Sequence, residues 1–261
     1  MIFLILCMGL IIGSFLNVCI YRIPLGESVV EPPSHCTNCG TRLKPVDLVP
    51  VLSFMFLKGK CRYCGAKVSA RYPAVELITA LVFMLLFSRY GLTVDFLAAI
   101  YLMSILIAVF FIDMDHKIIP DGLVLAGLAG GVLLTAYNIF NRVGIYGDRN
   151  WWNPLLGGVA GSGFLFLVAL IGALAYKTDE AMGMGDVKIF LPIGMFLGWR
   201  MTVIALLLSI FAGGIASLFL ILTRKKERRG TIPFGPFIAT GTFMALMWGW
   251  DLLGWYVFRF Y

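Results

Sequence analysis

The sequence of 261 residues is 60% hydrophobic and only 13% charged, and its mean hydropathy is +0.92. A soluble domain is roughly half apolar and about a quarter charged, so this composition excludes an ordinary water-soluble protein and indicates that lipid solvates most of the chain. The net charge of +7 does not indicate a nucleic-acid partner, because the basic residues fall in loops between apolar runs.

A helix that crosses ~30 Å of hydrocarbon needs about 20 apolar residues. The first such run, 2–21, has no basic segment before it and no small-residue cleavage site, so we interpret it as a retained span rather than a cleaved signal peptide. A shorter run, 187–199, reaches only about 20 Å and is counted as the sixth span, with a re-entrant segment as the alternative. The sequence therefore predicts an all-α polytopic membrane protein of about eight transmembrane helices. The other runs are 73–88, 93–112, 121–140, 154–176, 201–222 and 234–254.

The basic residues predict the orientation of these spans, since cytoplasmic loops are enriched in Lys and Arg. With the N-terminus outside, all but five of the 21 Lys and Arg residues lie on the inner side. Without the short span, Lys177 would stay inside but the basic cluster from Arg224 to Arg229 would lie outside, against the enrichment of Lys and Arg in cytoplasmic loops. The charge pattern therefore favours eight spans. The five outer residues are Arg89, Arg142, Arg149, Arg200 and Arg259.

The only long polar segment, 22–72, follows the first span and contains two Cys-x-x-Cys-Gly motifs. Their cysteines, Cys36, Cys39, Cys61 and Cys64, have the spacing of a tetrathiolate zinc site. A redox pair is the alternative, but a redox motif needs no second copy. The reducing cytoplasm also argues against disulfides. We therefore expect three parts: a first transmembrane helix at 1–21, a cytoplasmic zinc-binding loop at 22–72 and a transmembrane domain at 73–261.

Two aspartates near the predicted cytoplasmic edge of the membrane need an explanation, because acidic residues are costly there. Asp113 ends an apolar run, where a helix C-terminus disfavours its charge, whereas Asp186 opens the short sixth span, where a helix N-terminus favours it. Such opposite environments are typical of two carboxylates that share acid and base roles in proteolysis. Helix capping is the alternative for Asp186, and we assign that role to Asp121. Gly183 and Gly185 would leave room for a substrate backbone.

Seven motifs, in this order along the chain, resemble those of type IV prepilin peptidases. They are Gly13-Ser14-Phe15-Leu16-Asn17-Val18 with Arg22-Ile23-Pro24, the paired Cys-x-x-Cys motifs, Arg71-Tyr72-Pro73-Ala74-Val75-Glu76-Leu77, Ile112-Asp113, Ile119-Pro120-Asp121, Gly183-Met184-Gly185-Asp186-Val187-Lys188 and Ile232-Pro233-Phe234-Gly235-Pro236. The resemblance implies that Asp113 and Asp186 are the catalytic pair of a GxGD-type membrane aspartyl protease. Asp115 and Asp121 match positions outside that pair.

The resemblance also implies a bifunctional enzyme of the bacterial inner membrane. Such enzymes remove the leader from prepilins or pseudopilins at the cytoplasmic face and N-methylate the new N-terminal residue with S-adenosylmethionine. Peptidase-only relatives lack the cysteine insertion, which is intact here, and a peptidase with a purely structural zinc loop is the alternative. The sequence contains no recognisable S-adenosylmethionine motif, so the residues that bind this cofactor stay unassigned.

Two other classes of protein are less consistent with the residues. A proton-coupled transporter would carry acidic residues near the middle of broken helices, together with an internal repeat. The acids here lie at span ends, and the sequence shows no repeat. A non-enzymatic assembly scaffold would explain the cysteine motifs but not Asp113 at a helix C-terminus. We expect no nucleic-acid partner, and we expect membrane lipid to surround the helices.

Overall fold

The computed structural model describes residues 1–176, 183–223 and 232–260. These residues form helices joined by turns, and the only extended pairing among them is two isolated β-bridges, which confirms the predicted all-α class. The chain divides into two compact units, Met1–Gly91 and Leu92–Tyr261. Two groups of predicted inner basic residues, Lys177 and Arg224–Arg229, lie outside the described residues.

The first unit is a helix pair with a polar loop between its members. Helix α1 (Ile2–Arg22) packs on α3 (Arg71–Tyr90), and the loop contains the short helix α2 (Leu52–Phe56) and the 3-10 turns Ile23–Leu25 and Pro45–Leu48. Gly9 and Gly13 allow the close approach, because a Cβ at Gly13 would lie 2.6 Å from the Glu76 Cα. Small residues of this kind let membrane helices pack backbone against backbone.

The second unit contains five long helices: α4 (Val94–His116), α5 (Asp121–Phe140), α6 (Asn153–Tyr176), α7 (Met184–Leu222) and α8 (Gly235–Phe260). The most extensive packing is between α6 and α7, and α7 also packs on α5 and α8. Gly157 of α6 meets Gly194 so closely that a side chain on either would collide with the other's backbone. Gly157, Gly158 and Gly161 of the 154–176 run therefore pack against α7.

Helix α7 is broken at Gly198, where φ is 71° and ψ is 165°. Gly161 of α6 lies against both Phe190, before the break, and Thr202, after it, so the two arms of α7 run back along the same helix. Asn153 satisfies the backbone at the break, since its Oδ1 accepts the Trp199 N–H at 2.9 Å. Glycine is needed here because the left-handed region is strained for other residues.

Six of the described helices are long and apolar enough to cross a membrane: Ile2–Leu25, Arg71–Tyr90, Val94–His116, Asp121–Phe140, Asn153–Ala175 and Met184–Leu220. The predicted number of about eight spans is higher than this count. One reason is that the predicted spans 187–199 and 201–222 both lie in α7. The other is that α8, which contains the predicted span 234–254, is diluted by Gly, Thr, Trp and Asp251 and is not among the six.

Candidate active site and metal centre

Asp113 lies in the last turn of α4 and is buried, with 5% of its surface exposed. Its Oδ2 accepts a hydrogen bond from the Gly235 backbone N–H at 2.7 Å, at the start of α8. A Cβ at Gly235 would lie 2.9 Å from both the Cβ and the Oδ2 of Asp113. Glycine at position 235 therefore allows the amide to reach the carboxylate, a contact that joins residues 122 positions apart.

Asp186 lies in the first turn of α7 and is half-buried. Its carboxylate lies beside Gly183, and its charge interacts electrostatically with that of Asp113. Gly185 packs against the Cβ of Ile119, in the segment before α5, so a side chain at position 185 would be crowded by that segment. The expectation that Gly183 and Gly185 let a substrate backbone approach stays a prediction, and Gly183 borders the carboxylate itself.

Asp121 has a different role from the one its sequence context suggests. It is the first residue of α5, Pro120 occupies the N-cap position, and no side chain caps the helix. The Asp121 carboxylate instead accepts a hydrogen bond from the Lys188 Nζ at 2.9 Å. The predicted capping role is wrong because α5 begins one residue earlier than that role requires, so Asp121 lies within the first turn instead of at the N-cap. The ion pair joins the starts of α5 and α7 two residues away from Asp186.

The four cysteines of the first unit converge on one point. Their sulfurs all lie within 4.8 Å of one another, and the Sγ atoms of Cys36 and Cys64 are 3.9 Å apart. Tetrahedral zinc with bonds of ~2.3 Å separates its sulfur ligands by about 3.8 Å. Their distances thus fit a single zinc ion, and none of the cysteines is in a disulfide. The donor set Cys36, Cys39, Cys61 and Cys64 is the one predicted from the spacing.

The two cysteine motifs have matching backbones. In each, the glycine after the second cysteine has a positive φ, 69° at Gly40 and 70° at Gly65, and donates its N–H to the carbonyl of the first cysteine. The Thr41 hydroxyl, 3.3 Å from Sγ, and the Thr41 backbone lower the pKa of the Cys39 thiol to about 6. Thiolates are the form that binds metal, so this environment favours metal binding near neutral pH.

A polar cluster holds the second cysteine motif to the turn Pro45–Leu48. The Arg62 Nε donates to Asp47 Oδ1 at 2.6 Å and the Tyr63 hydroxyl donates to Asp47 Oδ2 at 2.9 Å. The hydrogen bond from Arg62 lowers the pKa of the Asp47 carboxyl. Both donors lie between Cys61 and Cys64, so the cluster fixes the segment that carries two of the four sulfurs.

The chain matches two family models. Residues 100–218 match the type IV leader peptidase family, and residues 7–90 match the bacterial peptidase A24 N-terminal domain. No solved structure matches the chain. The chain belongs to the type IV leader peptidase family, in the branch that carries the bacterial N-terminal domain.

Curated relatives cover nearly its whole length. A prepilin leader peptidase/N-methyltransferase of Aeromonas hydrophila is 36% identical over 98% of this chain and 94% of the relative. The protein of the same name in Bacillus subtilis (strain 168) is 36% identical over 95% of each chain. The one in Pseudomonas aeruginosa is 34% identical over 93% of this chain and 88% of the relative. The family resemblance in the motifs is thereby confirmed.

Proposed function

We propose that this chain is a multi-pass inner-membrane aspartyl endopeptidase that removes the leader from type IV prepilins or pseudopilins and N-methylates the new N-terminal residue. The observation that carries the proposal is the carboxylate pair of the second unit. Asp113 is buried against the Gly235 amide and interacts with Asp186. The chain that carries this pair belongs to a family of leader peptidases and is similar over its length to bifunctional relatives.

In the peptidase step, Asp113 and Asp186 share one proton, as two close carboxyl groups do. The ionised carboxylate takes a proton from water, whose oxygen attacks the scissile carbonyl carbon, while the protonated carboxyl donates to the carbonyl oxygen. The peptide C–N bond then breaks and the leaving amine takes up a proton. The Gly235 N–H keeps one oxygen of Asp113 in place, which leaves the other for water or substrate.

The four cysteines would hold one structural zinc ion. The loop between α1 and α3 has few apolar residues of its own, and metal binding would supply much of its folding free energy. The Asp47–Arg62–Tyr63 cluster orients the second motif toward the first. The two aspartates need no metal for peptide hydrolysis, but the protein would still depend on zinc to fold this loop.

Methyl transfer is proposed for the same chain, with S-adenosylmethionine as the donor. When bound, S-adenosylmethionine would supply an electrophilic methyl group for the new N-terminal amine of the pilin, which would lose a proton. The relatives are named for both activities in one protein. The N-terminal domain that this chain matches over residues 7–90 contains the cysteine loop, and the matched peptidase region contains Asp113 and Asp186.

The proposed organisation follows the charge pattern. Residues 1–21 form the first membrane helix, 22–72 the zinc-binding loop and 73–261 the transmembrane peptidase domain. The N-terminus lies outside, so the loop and the two aspartates face the cytoplasm, where the basic leader of a prepilin would remain. Lipid surrounds the helices, and no nucleic acid takes part.

The test is incubation of the purified, zinc-loaded protein with a prepilin, with leader loss and methyl incorporation scored separately. Wild-type protein should do both. Cys61→Ser should reduce methylation more than cleavage, because it unfolds the loop but leaves the aspartates in place. Equal loss of both activities in an inserted, stable Cys61→Ser protein would contradict this division of work. If the wild type cleaved the leader but incorporated no methyl group, only the peptidase part of the proposal would stand.

A further inference from the structure

The first unit contains a cavity of about 520 Å³ where the polar loop meets the ends of α1 and α3. This volume lies within the ~300–1,000 Å³ typical of small-molecule sites. Its lining includes two buried charged groups, an amide and three aromatic rings: Arg22, Glu76, Asn17, Tyr21, Phe54 and Tyr72. The exposed cations Lys60 and Lys67 also line it. The cavity also reaches Cys36 and Cys61, so folding of the metal loop completes its wall.

Glu76 is the unusual member of this lining. Only 7% of its surface is exposed, and its carboxylate accepts hydrogen bonds from the Val51 N–H at 2.7 Å and from Ser14. Within residues 1–176, 183–223 and 232–260, no basic side chain forms an ion pair with it. A buried carboxylate without a cation is costly. A positively charged ligand in the cavity would supply the missing partner.

The other walls suit the rest of one particular molecule. Arg22 is buried and donates to the Ser28 carbonyl through one N–H, and a guanidinium has five N–H donors with which to bind a carboxylate as well. Tyr21 and Tyr72 are partly exposed and Phe54 is half-buried, and all three line the cavity, where a flat base could stack on an aromatic ring. The Asn17 amide donates to the Tyr72 carbonyl at 3.0 Å and holds the α1 and α3 walls together.

We propose that this cavity binds S-adenosylmethionine, with Glu76 as the counter-ion of its cationic methionine end and Arg22 near its carboxylate. The inference rests on the proposed methyl-transfer function and names the site for it. S-adenosylmethionine combines an ammonium, a sulfonium, a carboxylate and a flat adenine, which match the groups of the cavity. A pilin N-terminus also carries an ammonium, but its neighbouring carboxyl is an amide, so it lacks the anion that Arg22 would bind.

Binding is measured on the full-length, zinc-loaded protein in nanodiscs by isothermal titration calorimetry with S-adenosylmethionine. Glu76→Gln keeps the shape of the side chain but removes its charge and should weaken binding about 30-fold or more, as expected when one member of a buried charge pair is lost. Glu31→Gln makes the same change on an exposed loop carboxylate outside the cavity and should leave the affinity within about twofold. An unchanged affinity in folded, zinc-loaded Glu76→Gln would overturn the proposal.

A second measurement needs no variant, which matters because Glu76 also anchors Val51. Labelled S-adenosylmethionine is cross-linked to the wild-type protein by ultraviolet light, and the labelled peptides are mapped. The label should fall on peptides that contain Tyr21, Phe54 or Tyr72. Label found only within Leu92–Tyr261 would contradict the site. So would a mature pilin peptide that binds at Glu76 more tightly than the cofactor and displaces it. If the wild type neither binds the cofactor nor incorporates methyl groups, the proposed methyl transfer fails as well.

Discussion

Replacement of Gly235 by Ala tests whether the start of α8 positions Asp113, the proposed catalytic carboxylate. The new Cβ would lie 2.9 Å from both Asp113 Cβ and Asp113 Oδ2, closer than side-chain atoms pack, so α8 or Asp113 must move. The movement breaks the 2.7 Å hydrogen bond from the Gly235 N–H. A hydrogen bond to a charged group contributes about 1.5–3 kcal/mol. Since about 1.4 kcal/mol is a factor of ten in rate, Gly235→Ala should slow leader cleavage about 10- to 150-fold.

The assay is the rate of leader loss from a purified prepilin, with kcat and KM determined separately. Gly235 reaches the reaction through Asp113, so the loss should appear in kcat rather than in KM. Gly254→Ala is the matched control, because Gly254 lies in the same helix and a Cβ there would meet no atom within 4 Å. If Gly235→Ala, inserted and stable, cleaves as fast as Gly254→Ala, the positioning role of the amide is refuted.

Three further predictions follow from other contacts. Metal analysis should give about one zinc per chain, lost in Cys39→Ser, and a metal-free protein with its four thiols paired as disulfides would contradict the site. Asp121→Asn should slow cleavage less than about fivefold, because the Asp121–Lys188 pair is largely exposed and contributes about 1 kcal/mol or less. A loss as large as that expected of Asp113→Asn or Asp186→Asn would refute this. Asp47→Asn should lower the melting temperature at neutral pH. Because Arg62 lowers the pKa of Asp47, this stabilisation exists above the ordinary carboxyl pKa of about 3.9 and is lost as the pH falls through the lower folded value. Wild type and Asp47→Asn should therefore converge in acid, and a difference that grows in acid would contradict the role of the ion pair.

The sequence allows the helices and the metal centre to be predicted because both depend on local pattern. Apolar runs locate α3 and α6 to within two residues at their starts, since the hydrocarbon thickness sets their length. The helices extend beyond the runs where polar residues continue the turn, as α4 does from 112 to His116. Two Cys-x-x-Cys-Gly motifs are sufficient to identify the four sulfurs, because the glycines fix each turn.

Contacts between distant residues could not be predicted in this way. In the sequence, Gly235 is recognisable only as part of a motif. Its amide reaches Asp113 because α4 and α8 pack together, which no local pattern reveals. The same holds for Lys188 and Asp121, 67 residues apart, and for Glu76, whose partner is the backbone of Val51 in the loop. The break at Gly198 is signalled by the charge of Arg200 between two apolar runs, but its stabilisation by Asn153 depends on the fold.

The central claim is that Asp113 and Asp186 together perform peptide hydrolysis. Asp113→Asn and Asp186→Asn keep side-chain shape but remove the group that holds or transfers the proton. Each should slow prepilin cleavage at least ~100-fold, the lower end for loss of acid–base catalysis. Each should still insert in the membrane and still methylate a pre-cleaved pilin. Cleavage at a near wild-type rate by either variant, measured on inserted and stable protein, would contradict the assignment of the catalytic pair.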